Sequence, residues 1–111
     1  MDAAIDRAAL DAQTGGDADL AREVLALFAG QCRSILPRLA DPDLSRPERA
    51  DLAHTLKGSA AGVGATRVHA LADAAETRLR GEGLRGEGYG GVDDLADAVD
   101  AALRAIAEGR A

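Results

Sequence analysis

The chain predicts an all-α protein: an up-down-up-down four-helix bundle with an additional short N-terminal helix. Three observations carry this expectation. Alanine and leucine are abundant while aromatic residues make up 2% of the chain and β-branched ones are few, a mixture that loses little side-chain freedom in a helix. Apolar residues recur at three- and four-residue spacings through long runs, with no alternating strand pattern and no internal repeat. The connections between the long runs are mostly short, which favours antiparallel neighbours. At 111 residues the whole chain, 1–111, reads as one domain. Its core can take about two-thirds of the unfolded chain's surface out of water.

Residues 3–13 form the short first helix, with Ile5 and Leu10 as its apolar contacts. Gly15-Gly16 stops it, and Asp17 is a natural N-cap for the helix that follows. There Leu20, Val24, Leu27, Phe28, Ile35 and Leu39 repeat with the period of an amphipathic helix. Pro37, late in this run, is expected to kink or shorten the final turn. After the polar connection 41–45, Ser45 caps the next helix, with Pro47 and Glu48 in its first turn. That helix carries Leu52, Leu56 and Ala60 on one side and runs into Gly62-Val63-Gly64. The next spans 65–80, with Val68, Leu71, Ala72, Ala75 and Leu79 inward. Residues 81–91 hold six of the thirteen glycines and read as a flexible connection, without the Gly-Lys-Ser/Thr ending of a phosphate-cradling loop. A last helix, 92–108, buries Val92, Leu95, Val99, Leu103 and Ile106.

Charge and cysteine content narrow the function. A net charge of −6 argues against nucleic acid or an anionic membrane as partner and fits a protein that meets other proteins. The single cysteine, Cys32, forms no internal disulfide, anchors no Cys-rich metal site and reads as a small buried hydrophobe. There is no apolar run of about 18 residues and no basic, apolar leader after Met1, so the expected compartment is the cytoplasm.

The stretch 53–65, A-H-T-L-K-G-S-A-A-G-V-G-A, holds one of the two histidines. With Leu52 at zero and roughly 100° per residue, Leu56 falls near 40°, Ala60 near 80° and Ser59 near −20°, which marks an inward face. On the same wheel His54 falls at about 200°, Lys57 at about 140° and Gly58 at about 240°, away from that face. Ala50, at about 160°, and Ala61, at about 180°, complete a stripe of small residues around the imidazole. A glycine inside a helix costs about 1 kcal/mol relative to alanine, so Gly58 needs a reason, and close approach of another molecule supplies one. Taken singly, an exposed histidine, a lysine and a helical glycine are ordinary surface features. Their conjunction, with smooth flanks on an acidic helical chain, is not.

These residues resemble a known family. H-T-L-K-G-S-A-A-G-V-G-A, continuing through Val68, Leu71, Ala72 and Ala75 to Glu76, is similar to the signature of histidine-containing phosphotransfer (HPt) domains, the intermediates of two-component phosphorelays. Upstream, Gly15-Gly16-Asp17 through Leu20, Glu23-Val24-Leu25 and Phe28 is similar to the family's second helix. The likeness weakens over the glycine-rich connection and the last helix.

The resemblance implies that His54 is the phosphoacceptor, taking a phosphoryl group from a receiver-domain aspartate or a hybrid histidine kinase and passing it on. Lys57 would supply charge to the phosphoryl group, and Gly58 would keep the imidazole accessible. Ala50 and Ala61 would face the partner. Glu76 and Arg80, spaced i,i+4 on a flank shared with His69 and Asp73, are candidate partner contacts beside the site. Such a protein is a phosphocarrier without its own ATP site and not an enzyme. Its expected partners are response-regulator receiver domains and a hybrid kinase, and the expected state is a monomer. It carries no cofactor or metal of its own, because the receiver brings the Mg²⁺. Two alternatives stand beside this reading: the histidine-bearing substrate domain of a chemotaxis-type kinase, and a helical adaptor that is never phosphorylated. The lack of an ATP-binding motif, and the chain's start and early end, favour a free-standing carrier over the first. The intact His54, Lys57 and Gly58 weigh against the second. Metal binding by His54 and His69 is disfavoured, since they fall on different helices with no second pair of ligands.

Overall fold

Asp6, Asp17 and Ser45 each stand just before a helix, and each turns its side-chain oxygen onto an amide of the first turn. Asp6 accepts from Ala9 N at 3.2 Å, Asp17 from Leu20 N at 3.1 Å and Ser45 from Glu48 N at 3.1 Å. These caps start α1 (Arg7–Thr14), α2 (Ala18–Leu39) and α3 (Arg46–Val63). At Ser45 the Glu48 carboxylate reaches back to the cap amide, which completes a capping box with Pro47 in the first turn. Two further helices follow, α4 (Thr66–Arg80) and α5 (Gly91–Ala107). The computed structural model describes residues 4–81 and 91–109, which are all-helical with no strand among them.

The turn between α3 and α4 positions the candidate site. Gly64 adopts φ +77°, Ala65 N bonds back to Ala60 O at 2.9 Å and Gly64 N reaches Ala61 O at 3.4 Å. This is the Schellman arrangement, in which a left-handed residue closes the last helical turn. Ala60 and Ala65, the apolar pair that accompanies the motif, are both fully buried. The chain therefore reverses in a few residues, and α3 and α4 run antiparallel in the most extensive contact of the fold. Asp6 N also donates to Gly64 O at 2.7 Å, so the entry to α1 is tied to this turn.

The core is built by α2, α3, α4 and α5. α3 packs between α2 and α4, α4 packs on α5, and α5 returns to α2, while α1 lies against α2 and α3. Phe28, Leu39, Leu56, Val68, Leu95 and Val99 are among its fully buried side chains.

The structure alters several sequence-based expectations. The first helix begins at Arg7 rather than residue 3, because Asp6 caps it. Ile5 lies outside the helix yet is buried, as is Leu10, at the two positions of a hydrophobic staple. On α2 the buried stripe is Leu25, Phe28, Ala29, Cys32, Ile35 and Leu39, whereas Leu20 and Leu27 are exposed. Pro37 lies in the last turn of α2, which closes two residues later at Leu39. The glycine-rich connection overlaps the helices at both ends: Gly81 caps α4 and Gly91 begins α5, while 82–90 and the side chain of Val92 lie outside the described residues.

Ala50 is the main correction at the site. Expected on the outer stripe beside His54, it is 0% exposed. The buried face of α3 runs through Val63, Leu56, Ala60, Ala53 and Ala50, so it keeps Leu56 and Ala60 inward but is turned by about 55° from the expected one. The inward positions are largely alanines, which let α4 approach closely, and a wheel weighted toward leucine misplaces that face. Ala50 therefore belongs to the helix packing and is not available to a partner.

Candidate functional site

The antiparallel turn sets which residues of α3 and α4 face each other: positions equidistant from Ala65 meet. His54 and Glu76 are such a pair, and so are Lys57 and Asp73. The Nδ1 atom of His54 lies 3.1 Å from Oε2 and 3.2 Å from Oε1 of Glu76. Lys57 Nζ lies 2.9 Å from Glu76 Oε1 and 3.2 Å from Asp73 Oδ1. From its own helix Arg80 donates through Nε to Glu76 Oε2 at 2.9 Å, and through Nη2 to Asp51 Oδ1 of α3 at 2.9 Å. One carboxylate thus gathers three donors across the seam between two helices.

Glu76 can hold this position because its charge is matched. Its side chain is 12% exposed, and the hydrogen bonds from Lys57 first and Arg80 second outweigh burial, lowering its pKa from the ordinary 4.5 to about 2. The bonds to Glu76 and Asp73 hold the Lys57 ammonium above its usual range. An ionised carboxylate only accepts hydrogen bonds, so the proton of the His54–Glu76 contact resides on Nδ1. With a single proton on the ring, the lone pair is then the one on Nε2. The His54 side chain is 63% exposed.

The surroundings of the imidazole are smooth. Gly58 is exposed, and a Cβ built there meets nothing within 4 Å, so no neighbour inside this chain requires a glycine. Ala61 is exposed, as expected for a partner-facing residue. Further round α3, Ser59, Gly62 and Val63 form one wall of an open groove of about 300 Å³, and Val24, Leu27, Phe28 and Gln31 of α2 form the other. Leu27, 70% exposed, stands at its edge.

Of the expected site residues, the structure brings together His54, Lys57, Glu76 and Arg80, leaves Gly58 and Ala61 open on the outer face, and removes Ala50. Lys57 and Arg80 do not stand as free cations awaiting a phosphoryl group, because each is already paired with carboxylates. His69 sits elsewhere on the seam, half-buried, with Nδ1 3.0 Å from the Lys57 carbonyl oxygen, a bond it makes as donor. Among the described residues no group of three or more His, Cys, Asp or Glu side chains is placed to hold a metal ion, and no helix is long and apolar enough to cross a membrane.

Sequence reasoning missed the orienting contact from Glu76 to His54 and the parts played by Asp51 and Asp73. The signal was present in the register: once Gly64 is taken as the turn, counting outward from Ala65 pairs 54 with 76 and 57 with 73.

A family model for the Hpt domain matches residues 23–109, which takes in α3, α4, α5 and most of α2. No curated protein and no solved structure matches the chain significantly.

Proposed function

The chain belongs to the Hpt domain family, and on that premise we propose that it is a phosphocarrier in which His54 takes a phosphoryl group from one partner and yields it to another. The observation that supports this most directly is the His54–Glu76 contact, which commits Nδ1 to a carboxylate on a side chain that is 63% exposed, with the exposed Gly58 one turn along. In the forward step Nε2 attacks the phosphorus of an aspartyl phosphate in line. The N–P bond forms, the bond from phosphorus to the aspartyl oxygen breaks, and the aspartate leaves as a carboxylate. The ring keeps its Nδ1 proton, and the positive charge that develops on it is balanced by Glu76. Return of the group to a second aspartate is the reverse step, so no proton need leave the site.

Lys57, one turn along from His54, is the nearest candidate to meet the equatorial phosphoryl oxygens, exchanging part of its pairing with Asp73 to do so. Gly58 and Ala61 provide the flat ground on which a receiver comes within transfer distance. The Val24–Leu27–Phe28 wall of the groove offers apolar area for docking beside it. The partners are response-regulator receiver domains and a hybrid histidine kinase, with Mg²⁺ carried by the receiver and no cofactor in this chain. The chain acts as a single-domain, monomeric, cytoplasmic protein, an up-down-up-down bundle without an ATP site.

The test is transfer from a radiolabelled phospho-receiver. Acid-labile, base-stable label should appear on the wild type and be absent from His54→Gln. Equal labelling of the two would place the acceptor elsewhere, and failure of every cognate receiver and kinase to label the wild type would favour a non-phosphorylated adaptor.

A further inference from the structure

The contact that fixes the His54 ring depends on a carboxylate held between helices, and the structure shows what holds it. Lys57 and His54 approach Glu76 from α3, and Arg80 approaches from α4. Arg80 is the half-exposed member, and a long side chain so placed gains little from one ion pair in water while losing rotamer freedom. It is fixed by engaging two carboxylates at once. Its Nε is 2.9 Å from Glu76 Oε2 and its Nη2 is 2.9 Å from Asp51 Oδ1. Because the guanidinium is planar and rigid, bonds from two of its nitrogens set its plane as well as its position.

Asp51 lies one turn before His54 on α3, so the chain Asp51–Arg80–Glu76–His54 leaves α3, crosses to α4 and returns. The neighbouring Arg46 closes the same end of the seam, donating to Arg78 O at 2.7 Å and to Leu79 O at 3.3 Å. The last turn of α4 is therefore tied to the first half of α3 at backbone and side-chain level alike.

We infer that Asp51, acting through Arg80, is a positioning residue for His54: it holds Arg80 on Glu76 and so keeps the imidazole proton on Nδ1 and Nε2 free to react. Asp51 touches neither the ring nor any reacting atom. The inference rests on the phosphocarrier reading for its consequence but not for its structural content. Without Asp51, Arg80 swings into solvent, Glu76 loses one of its three donors, and the ring relaxes toward the proton-on-Nε2 form that a free imidazole prefers. In that form the nucleophilic nitrogen is blocked.

The experiment reads the ring directly. Long-range proton–nitrogen correlation spectra of the full chain, labelled at histidine nitrogen and held at about pH 9 so that imidazole is neutral, report the two nitrogens of His54. In Asp51→Ala the Nε2 resonance should move toward the protonated position and Nδ1 away from it, while Asp51→Asn, which keeps an acceptor for Arg80, should lie closer to wild type. Phosphoryl uptake by Asp51→Ala should fall roughly tenfold, the lower end of what loss of an orienting outer contact costs. In an Arg80→Ala background Asp51→Ala should add no further spectral change. Unchanged His54 nitrogen shifts in Asp51→Ala, or the same change with Arg80 absent, would overturn the inference. If the wild type never accepts label, the phosphocarrier reading fails while the spectral comparison still decides the role of Asp51.

Discussion

Nδ1 of His54 and Oε2 of Glu76 stand 3.1 Å apart across the seam between α3 and α4, and that contact assigns different tasks to the two ring nitrogens. One nitrogen is committed to a carboxylate that stays ionised, and the other is left in the open. Glu76→Gln can accept a hydrogen bond as well as donate one, but it brings no charge to balance the ring during transfer. Its phosphoryl uptake should fall roughly ten- to hundredfold with helical content unchanged, a loss typical of an orienting outer partner. Single-turnover transfer from a phospho-receiver measures it, and wild-type rates in Glu76→Gln would remove Glu76 from the mechanism.

The same carboxylate sets a pH dependence of stability. With its pKa lowered from the ordinary 4.5 to about 2, Glu76 binds its proton less readily in the folded chain than in the unfolded one. Its contribution is therefore complete above about pH 4.5 and is lost as pH falls toward 2. Melting temperatures of the wild type and Glu76→Gln should differ most above pH 5 and converge near pH 2. A gap that stays constant across that range would mean the seam is not held by this charge.

Gly58 separates folding from transfer. Because nothing lies within 4 Å of a Cβ at this position, Gly58→Ala should raise stability by about 0.5–1 kcal/mol through helix propensity alone. Gly58→Leu should fold as well as wild type yet lose transfer to the receiver, by keeping the two proteins apart. Denaturant titration and the labelling assay read the two effects. Parallel loss of both would mean that Gly58 serves packing.

Gly64 should show the opposite pattern. Its φ of +77° is costly for any L side chain, and a Cβ there would lie 2.6 Å from the Asp6 carbonyl oxygen. Gly64→Ala is expected to lose about 1–3 kcal/mol in urea denaturation, while the molecules that remain folded transfer normally. Wild-type stability in this variant would show that the turn tolerates a different backbone path.

Leu27 tests the groove as a docking surface. At 70% exposure it contributes little to the core, so Leu27→Asp should leave stability within about 0.5 kcal/mol. Binding to a receiver should weaken severalfold in titration calorimetry. Unchanged affinity would confine docking to the face around His54.

Much of this protein follows from local chemistry along the chain. The caps at Asp17 and Ser45, the left-handed Gly64 and the spacing of apolar residues determine where α2, α3 and α4 start and stop, because a helix end must satisfy its own orphan amides and carbonyls with nearby groups. His54, Lys57 and Gly58 stood out as an exposed conjunction for the same reason: helical period alone separates them from Leu56 and Ala60. Tertiary structure decided which face of α3 is buried. Size suggested a face running from Leu52 through Leu56 to Ala60, but close approach to α4 turned it to take in Ala50 and Ala53, since two helices come nearest where side chains are smallest. It also decided what Lys57 and Arg80 do, for an ion pair across a seam depends on the register of two helices rather than on spacing within one. The histidine was legible in the sequence, whereas the carboxylate that leaves its Nε2 free became visible only when the turn at Gly64 folded α4 back onto α3.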